Sequence, residues 1–353
     1  MSDRLFYIET DYQFLQSMSL VVDFIDNKNV SCMDNTVFVD ATREKCVFSK
    51  RRVLKDNFGI DVLSVNVYSF YFSAVFSSFL VCKLKRFRGY DFFMFNNRSP
   101  IVNKLSSILS GHGDVFQVEE GLSLYRKARE VGFLKGLVLK FKKSLVSLFT
   151  LSNFTDHIGH TVYADTVYLR YPCLAKDNEF LFKKKLKALP SFNNLTSISS
   201  VLNQIYSFDR SSFFDFDSDC MVFFGQPLSE LGLLDSHVEL DVLKSIGRVV
   251  HGLGFRLIVK VHPAENISKY DGLEFVLIEG KVPAEVIFMN YKNVRGVISF
   301  YSTAALNVAE MLNVTAYFFY KACGLEVNFP HSKNIRVLDS LKLSSLRSAF
   351  QFG

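Results

Sequence analysis

The sequence contains no pair of cysteines at the short spacing that zinc sites and redox motifs require. Its six cysteines are scattered along 353 residues, which is typical of reduced thiols in a cytoplasmic protein and not of a disulfide framework. Tryptophan is absent while phenylalanine occurs 37 times, a bias to which we assign no functional meaning. The chain also has no internal repeat and no low-complexity tract, which excludes a repeat architecture.

The opening MSDRLFYIETDY lacks the basic and then apolar pattern of a secretory signal, so no signal sequence is expected. One uncharged run of 21 residues, at 62–82, has the length of a membrane span. It contains five serines, an asparagine and two tyrosines, and we interpret it as a strand followed by a packed helix. The sequence therefore predicts a cytoplasmic protein.

Positive charge is concentrated in the first half of the chain. Residues 1–200 hold 27 Lys and Arg against 19 Asp and Glu, whereas residues 201–353 hold 14 against 16. Each basic run alone is typical of a solvated helix face, but four runs in one half indicate a surface that meets an anionic partner. The runs are KRR at 50–52, KLKRFR at 83–88, LKFKK at 139–143 and KKKLK at 183–187.

Residues 133–149, FLKGLVLKFKKSLVSLF, combine an apolar stripe at helical spacing with lysines that fall off the stripe. This pattern fits a core helix with a basic back, and equally a helix that lies on an anionic membrane surface. In the segment that follows, His157 and His160 are interpreted as loop residues and not as metal ligands, because no carboxylate pair lies near them.

Predicted strands alternate with predicted helices along both halves of the chain. Such alternation is typical of parallel sheets and predicts two Rossmann-like α/β domains. We place them at residues 1–200 and 201–353, because residues 173–219 are polar, charged and serine-rich, as at a domain junction. The predicted strands lie at 5–8, 36–39, 61–67, 90–96, 114–118, 220–224, 256–261, 273–278, 296–300 and 314–320.

Polar side chains follow two predicted buried strands of the second half, in the segments RLIVKVHP and VISFYST. In an open α/β sheet a ligand binds in the crevice beyond the carboxyl ends of the strands. Hydroxyls where a strand turns into a helix form an N-cap and, with the backbone N–H groups there, a seat for a phosphate. The two segments therefore predict a phosphate site formed by Lys260, His262, Ser299, Ser302 and Thr303.

Two adjacent carboxylates, Glu119 and Glu120, follow the predicted strand 114–118, and Gly121 permits a turn after them. Adjacent like charges raise the pKa of one carboxyl, which favours a general base. An ordinary solvated helix start has the same pattern, so the prediction depends on the order of this pair and the other segments along the chain.

That order resembles the bacterial sialyltransferases of GT-B type. Glu119-Glu120-Gly121 corresponds to their D/E-D/E-G motif, His262-Pro263 to the HP motif and Ser302-Thr303 to the S-S/T motif. The opening FYIETDYQFLQSMSLV and the segment FFGQPLSE are also similar to this group, especially to glycosyltransferase family 52 and the capsular polysialyltransferases. The resemblance spans nearly the whole chain and implies the GT-B fold, in which two Rossmann-like domains face each other across a central cleft.

The resemblance implies an inverting, metal-independent transfer of sialic acid from CMP-sialic acid to a hydroxyl of a lipooligosaccharide or capsule glycan. Glu120 or Glu119 would take the proton of the acceptor hydroxyl. His262 would be the acid that stabilises the departing phosphate. A sialyl donor ionises toward an oxocarbenium ion, so the chemistry needs stabilisation of the leaving group and one base on the opposite face.

The donor site implied by the resemblance lies in the second half. Lys260 and Gly225 would line the cytidine pocket, Glu285 of the VPAE turn would bond the ribose hydroxyls, and the S-S/T hydroxyls would hold the phosphate. No metal ion or other cofactor is implied, and the DFD sequence at 215–217 lies in the expected linker. The complete set of implied donor-site residues is Gly225, Lys260, Pro263, Glu285, Ser299, Ser302 and Thr303.

The expected partners are CMP-sialic acid and a glycan acceptor that ends in galactose or sialic acid, with no nucleic acid. Peripheral contact with the inner membrane and a homodimer are left open. Three alternatives remain at this point: a transferase for another CMP-activated nonulosonate or Kdo, a UDP-sugar enzyme of the same fold, and a non-catalytic GT-B-like binding protein in a glycan assembly complex.

Overall fold

The computed structural model divides into two compact units, Met1–Pro190 and Ser191–Gly353. The predicted boundary lies later, after residue 200. The difference arises because the helical residues 192–206 bury Phe192, Leu195 and Leu202 within the second unit, where residues 192–198 contact its helix 303–312 and residues 199–206 contact its helix 284–288. The structure describes residues 3–28, 35–41, 46–65, 85–96, 99–121, 141, 143–145, 147–148, 161–175, 181, 183–208, 218–289, 291–325, 334–340 and 342–351.

The first unit is built on a parallel sheet, which in the described residues has seven strands in the order β3-β2-β1-β4-β5-β6-β7. The strand order reverses between β1 and β4, and β5 is the next neighbour of β4. The carboxyl ends of these three strands therefore meet at the crevice where a ligand of such a sheet is expected. The strands are β1 Arg4–Ile8, β2 Thr36–Asp40, β3 Asp61–Ser64, β4 Asp91–Met94, β5 Val115–Val118, β6 Thr166–Leu169 and β7 Lys185–Ala188.

Helices cover both faces of this sheet. Phe14 of α1 packs edge-on against Phe38, on the face where Phe6 and Phe93 stack at 4.5 Å. The opposite face packs against α4, which Pro100 begins at its first turn, a position where a proline costs no hydrogen bond. The described helices are α1 Asp11–Lys28, α2 Cys46–Ser49, α3 Arg51–Phe58 and α4 Pro100–Leu109, with short 3₁₀ turns at Lys85–Phe87 and Pro172–Ala175.

The second unit repeats this topology, with its described strands in the order β10-β9-β8-β11-β12-β13, all parallel. Its order reverses between β8 and β11, so a ligand crevice is expected beyond the ends of those two strands. The strands are β8 Cys220–Phe224, β9 Arg256–Lys260, β10 Val276–Ile278, β11 Val294–Ser299, β12 Thr315–Phe318 and β13 Ile335–Val337.

Helices again lie on both faces of the second sheet. Ile246 of α6 and Leu346 of α9 belong to one apolar core with Phe223, while α7 places Phe288 against Phe224 on the other face. Asp235 caps α6 by accepting the backbone N–H of His237 at 2.8 Å. The described helices are α5 Ser199–Tyr206, α6 Ser236–Gly252, α7 Ala284–Phe288, α8 Thr303–Leu312 and α9 Leu343–Gln351, with 3₁₀ turns at Phe192–Ile198 and Ile267–Tyr270.

Three short strands, β6, β7 and β13, are missing from the sequence prediction. The most instructive is β7, because it lies in the basic run KKKLK that the sequence assigned to a solvated face near the domain junction. It is the edge strand beside β6 in the described sheet, and lysines on an edge strand discourage pairing with another chain. Lys187 lies 5.3 Å from the centre of the Tyr168 ring on β6, so its charge is compatible with strand structure.

Several predictions fall wholly or partly outside the described residues, namely the apolar run 62–82, the histidines at 157 and 160 and much of the amphipathic stretch 133–149. Within that stretch, residues 141, 143–145 and 147–148 are helical, and Phe141, Leu145 and Leu148 are exposed. These three side chains therefore do not form part of a core. Across the described ranges, no helix combines the length and apolar character that a membrane crossing needs.

Candidate active site

The two carboxylates after β5 have different environments. Glu119 is 1% exposed, and its Oε2 accepts the backbone N–H of Arg170 at 2.7 Å, which ties the end of β5 to the end of β6. Glu120 is half-buried, and its Oε1 accepts a hydrogen bond from Gln13 Nε2 at 2.8 Å. Glu119 is thus engaged with the backbone, while Glu120 presents a side chain that is oriented by another side chain.

A third carboxylate, Glu9, lies beside Glu120 and is absent from the sequence prediction. Gln13 joins the two residues, because its Oε1 accepts the backbone N–H of Glu9 at 2.7 Å while its Nε2 donates to Glu120. Burial, and then repulsion from Glu120, raises the pKa of Glu9 to about 7, while hydrogen bonds with Ser99 and Asn96 oppose the rise. The available sequence signal was the position of Glu9, directly after a buried strand.

All of these groups follow the three strands that meet where the first sheet reverses its order. Glu9 follows β1, Asn96 and Ser99 follow β4, and Glu120 follows β5. The first unit therefore carries a carboxyl pair at the crevice predicted by the topology of its sheet.

In the second unit, the turn after β9 holds His262 by both its backbone and its ring. The backbone N–H of His262 donates to Glu265 Oε2 at 2.6 Å, and its ring Nδ1 accepts the backbone N–H of Ala264 at 3.1 Å. Because Nδ1 is an acceptor, the neutral ring carries its hydrogen on Nε2. Desolvation lowers the pKa of His262, with Lys260 and Lys269 acting in the same direction and Glu265 opposing them. At neutral pH the exposed ring is a neutral Nε2–H donor.

A buried ionic cluster supports this turn from below. Lys269 Nζ lies 2.5 Å from Glu265 Oε1, 2.6 Å from Glu239 Oε1 and 3.6 Å from Glu230 Oε1. The side chains of Glu265 and Glu239 are 0% and 3% exposed, and Tyr270 donates its hydroxyl to Glu265 at 2.9 Å. Burial opposes the charge of Lys269, but hydrogen bonds with the two glutamates outweigh it and raise the pKa of the lysine. The buried cluster therefore holds Glu265, and with it the backbone of the His262 turn, in place.

Gly225, the residue after β8, lies directly against this cluster. A Cβ at position 225 would overlap the Glu265 carboxylate and would lie 2.7 Å from the Tyr270 hydroxyl. The next residue, Gln226, links two strand ends, because its Oε1 accepts the backbone N–H of Tyr301 at 2.8 Å. A glycine is thus required here by the close approach of the glutamate, a reason that the sequence did not show.

The hydroxyl turn after β11 is also tightly connected. Ser299 is fully buried, donates its hydroxyl to the backbone carbonyl of Phe224 at 3.0 Å, and accepts the backbone N–H of Ser302 at 3.3 Å. Ser302 in turn caps α8 by accepting the N–H of Ala305 at 3.4 Å, and Thr303 is the first helical residue. The amino terminus of α8 therefore begins at the order reversal of the second sheet, where an anion is favoured.

Two other predicted donor-site residues are engaged in local structure. Lys260 is 7% exposed, and its Nζ donates to the carbonyls of Val261 at 3.2 Å and Gly280 at 3.0 Å. Glu285 is 3% exposed and accepts from Asn307 Nδ2 at 2.8 Å, which joins α7 to α8. Their bonds hold the loops around the crevice.

The second unit thus brings Gly225, Lys260, His262, Ser299, Ser302 and Thr303 to the carboxyl ends of β8, β9 and β11, with Pro263 exposed beside His262 and Glu285 on α7. Glu119 and Glu120 belong to the first unit. In the part of the chain that the structure describes, no group of three or more His, Cys, Asp or Glu is placed to hold a metal ion.

Comparison with known proteins gives one family and several similar folds. A family model described as alpha-2,8-polysialyltransferase matches residues 67–321. No curated protein sequence matches the chain significantly.

Among solved structures, the UDP-GlcNAc 2-epimerase from Methanocaldococcus jannaschii aligns with a TM-score of 0.62 at 10% identity, covering 99% of this chain and 92% of that one. The alpha/beta-galactoside alpha-2,3-sialyltransferase from the luminous marine bacterium Photobacterium phosphoreum aligns with 0.56 at 10% identity, covering 95% and 98%. The glycotransferase of kitacinnamycin aligns with 0.58 at 11% identity, covering 100% and 90%. At such low identities the structural alignments establish the fold alone. That fold confirms the predicted class of two parallel-sheet α/β domains of GT-B type.

Proposed function

The chain belongs to the alpha-2,8-polysialyltransferase family, and from this premise we propose that it transfers sialic acid from CMP-sialic acid to a hydroxyl of a cell-surface glycan. Family membership makes it a glycosyltransferase of the sialyltransferase kind, with a sugar-nucleotide donor and a glycan acceptor. The proposal adds the identity of the donor, an inverting reaction without a metal ion, and a lipooligosaccharide or capsule chain as the acceptor.

The observation that carries the proposal is the arrangement of donors at the second sheet. His262 follows β9 and the amino terminus of α8 follows β11, and only β8 separates those strands in the described sheet. A neutral Nε2–H and the backbone N–H groups of a helix start both suit the single phosphate of CMP. These donors supply the stabilisation that a leaving phosphate needs, so the proposed reaction requires no metal ion.

In the proposed reaction, the acceptor oxygen forms a bond to the anomeric carbon of the sialyl group as the bond from that carbon to the phosphate oxygen breaks. CMP leaves with the bonding electrons, and the Nε2–H of His262 donates a hydrogen bond to its phosphate. The proton of the acceptor hydroxyl passes to Glu120. We choose Glu120 over Glu119 because Glu119 is 1% exposed and its carboxylate is bound by the backbone N–H of Arg170, whereas Glu120 is only half-buried.

The test is a screen of CMP-sialic acid, CMP-Kdo and UDP-sugars against galactosides and sialosides, with products detected by mass, in the presence and absence of EDTA. We expect sialylated product from CMP-sialic acid alone, with the same yield in EDTA. Glu120→Gln and His262→Ala should each reduce kcat by at least about a hundredfold while CMP still binds, since general acid–base groups contribute about 10²–10⁴.

Matched controls are Glu274→Gln and His251→Ala, which alter an exposed glutamate and an exposed histidine of the second unit. Both should retain wild-type turnover. A wild-type protein that binds CMP but turns over no CMP-sugar would instead be a binding module, and tighter binding of UDP than of CMP would indicate a UDP-sugar enzyme. Either result contradicts the proposal.

A further inference from the structure

Three glutamates follow strands of the first sheet, and the proposed function uses only one of them. Glu119 accepts the backbone N–H of Arg170, the residue after β6. Glu9 has no role in the proposed reaction, yet the charge of Glu120 acts on it. Glu120 is the second-largest cause of the raised pKa of Glu9, after burial, and two carboxyl groups whose interaction exceeds about one pKa unit titrate as a pair. Their placement therefore bears on how the base works.

Gln13 fixes the arrangement of the pair. Its side chain is fully buried in the first turn of α1, and the backbone N–H of Glu9 can only donate, so this bond requires the amide oxygen of Gln13. The amide nitrogen must then face Glu120 and donate to it at 2.8 Å. An ionised carboxylate is the better acceptor for such a donor. The bridge accordingly favours a charged Glu120.

The surroundings of Glu9 favour its neutral form instead. Burial is the main cause of the rise in the pKa of Glu9 to about 7, followed by the charge of Glu120. Tyr7 of β1, a buried phenol, also interacts with Glu9, and its own pKa is raised well above 10.0, chiefly by burial and then by Glu9. Ser99 and Asn96 contribute uncharged hydrogen bonds from the segment after β4.

We propose that Glu9 and Glu120 form a coupled carboxyl pair in which Glu9 retains the proton, Gln13 orients Glu120, and the charge state of Glu9 sets the basicity of Glu120. Glu9 and Gln13 are positioning residues in this scheme, and only Glu120 receives the proton of the acceptor. The role in catalysis rests on the proposed transfer reaction, whereas the pairing itself is a property of the first unit.

The coupling makes a directional prediction about pH. While Glu9 is neutral, the pair carries one negative charge, which resides on Glu120. When Glu9 ionises near neutral pH, the second charge raises the proton affinity of Glu120, so proton abstraction becomes more favourable. With an uncharged galactoside acceptor, kcat should rise several-fold between pH 6 and pH 8. The Glu9→Gln variant separates this rise from any contribution of His262, whose pKa is lowered from its ordinary value chiefly by desolvation.

The experiment compares the full-length wild type with Glu9→Gln, Gln13→Ala and the control Glu274→Gln. Glutamate labelled with ¹³C at the side-chain carboxyl reports each titration by NMR, and kcat is measured with the galactoside across the same pH range. We expect one carboxyl in the wild type that titrates near pH 7. The E9Q variant should lose this titration, and the NMR titration curve of Glu120 should become a single step. The pH dependence of kcat should flatten in the same variant. Q13A should lower kcat while leaving KM for the donor nearly constant, and E274Q should behave as the wild type.

The two readouts separate this proposal from the function on which it rests. If the wild type turns over no CMP-sugar but the coupled titration is present and E9Q removes it, the proposed function fails and the pair stands. If no glutamate titrates near pH 7, or if E9Q leaves the titration of Glu120 and the pH dependence of kcat as in the wild type, the pair is refuted. Circular dichroism of each variant identifies any that fails to fold. If E9Q fails to fold, Glu9→Asp takes its place, because aspartate keeps a carboxyl. A Glu9→Asp protein without a titration near pH 7 would likewise refute the pair.

Discussion

Replacing Lys269 with methionine tests whether the buried ionic cluster supports the His262 turn. The Lys269 side chain is 15% exposed, and its ammonium nitrogen lies within 2.6 Å of oxygens of two glutamates whose side chains are 0% and 3% exposed. Methionine has a similar length but no charge, so Lys269→Met leaves two carboxylates buried next to each other without a cation. The change removes the charge with little change in volume.

The magnitude follows from the burial of the partners. Breaking a buried ion pair by removing one member costs about 3–5 kcal/mol, because the remaining charge is left uncompensated. Here two buried carboxylates share the lysine, so we expect a loss near the upper end of that range. A domain has a total stability of only about 5–15 kcal/mol, so the second unit of K269M should unfold at a much lower urea concentration.

The matched control is Lys321→Met in the same unit. Lys321 lies 4.0 Å from Asp339, with side chains 57% and 75% exposed, and an exposed pair of this kind contributes at most about 1 kcal/mol. Urea unfolding of both variants can be followed by circular dichroism and tyrosine fluorescence, since the chain has no tryptophan. Equal midpoints for K269M and K321M would refute the reasoning.

A double-mutant cycle with Glu265→Gln gives a second check on the same prediction. The residues are in direct contact, so their costs should not add, and we expect a coupling free energy of more than about 1 kcal/mol. Glu265→Gln should also loosen the bond to the backbone N–H of His262, which is 2.6 Å long in the wild type. Additive costs would show that the lysine and the glutamate act independently.

Two further predictions concern single residues. Glu9→Gln should stabilise the protein at pH 8 but not at pH 4. The pKa of Glu9 is about 7 in the folded protein and 4.5 ordinarily. The wild type therefore loses roughly 3 kcal/mol of stability as the pH rises from 4.5 to 7 and Glu9 must ionise in its buried position. Thermal melts of both proteins at pH 4, 6 and 8 measure the difference, and parallel curves would contradict it. Gly225→Ala should lower the free energy of unfolding by about 1–3 kcal/mol, because the added Cβ overlaps Glu265. The control is Gly252→Ala, where a Cβ meets nothing within 4 Å and no such loss is expected. Equal urea midpoints for the two variants would contradict this prediction.

The local pattern of apolar and polar residues was sufficient to predict most of the fold. Buried strands followed by amphipathic helices predicted the α/β class, and β8 begins and ends at the predicted residues. The pattern failed at β7, because its sequence KLKA belongs to a lysine-rich run that is equally typical of a solvated face, and its strand structure depends on pairing with β6. The same limit applies to residues 192–206, whose polar sequence resembles a linker although their apolar side chains are buried in the second unit.

The candidate site, too, was predictable in part from local sequence and in part only from the tertiary structure. Three motifs in order along the chain were enough to indicate the sialyltransferase resemblance, which the family match confirms. They indicated the acidic pair, the His-Pro turn and the hydroxyl turn, because each motif is contiguous in sequence. They could not distinguish Glu119 from Glu120, since adjacent residues of one type look alike until their partners are known.

The amino-acid sequence by itself determined the fold class, the family and the short segments that carry the chemistry, because each depends on residues close together in the chain. Only the tertiary structure decided which side chains act together. Gln13 meets Glu120 across 107 positions, and Lys269 meets Glu239 across 30, through strand order and helix packing that no local pattern encodes. The same packing buries Glu9 and His262 and brings charges to them, which raises the pKa of Glu9 and lowers the pKa of His262.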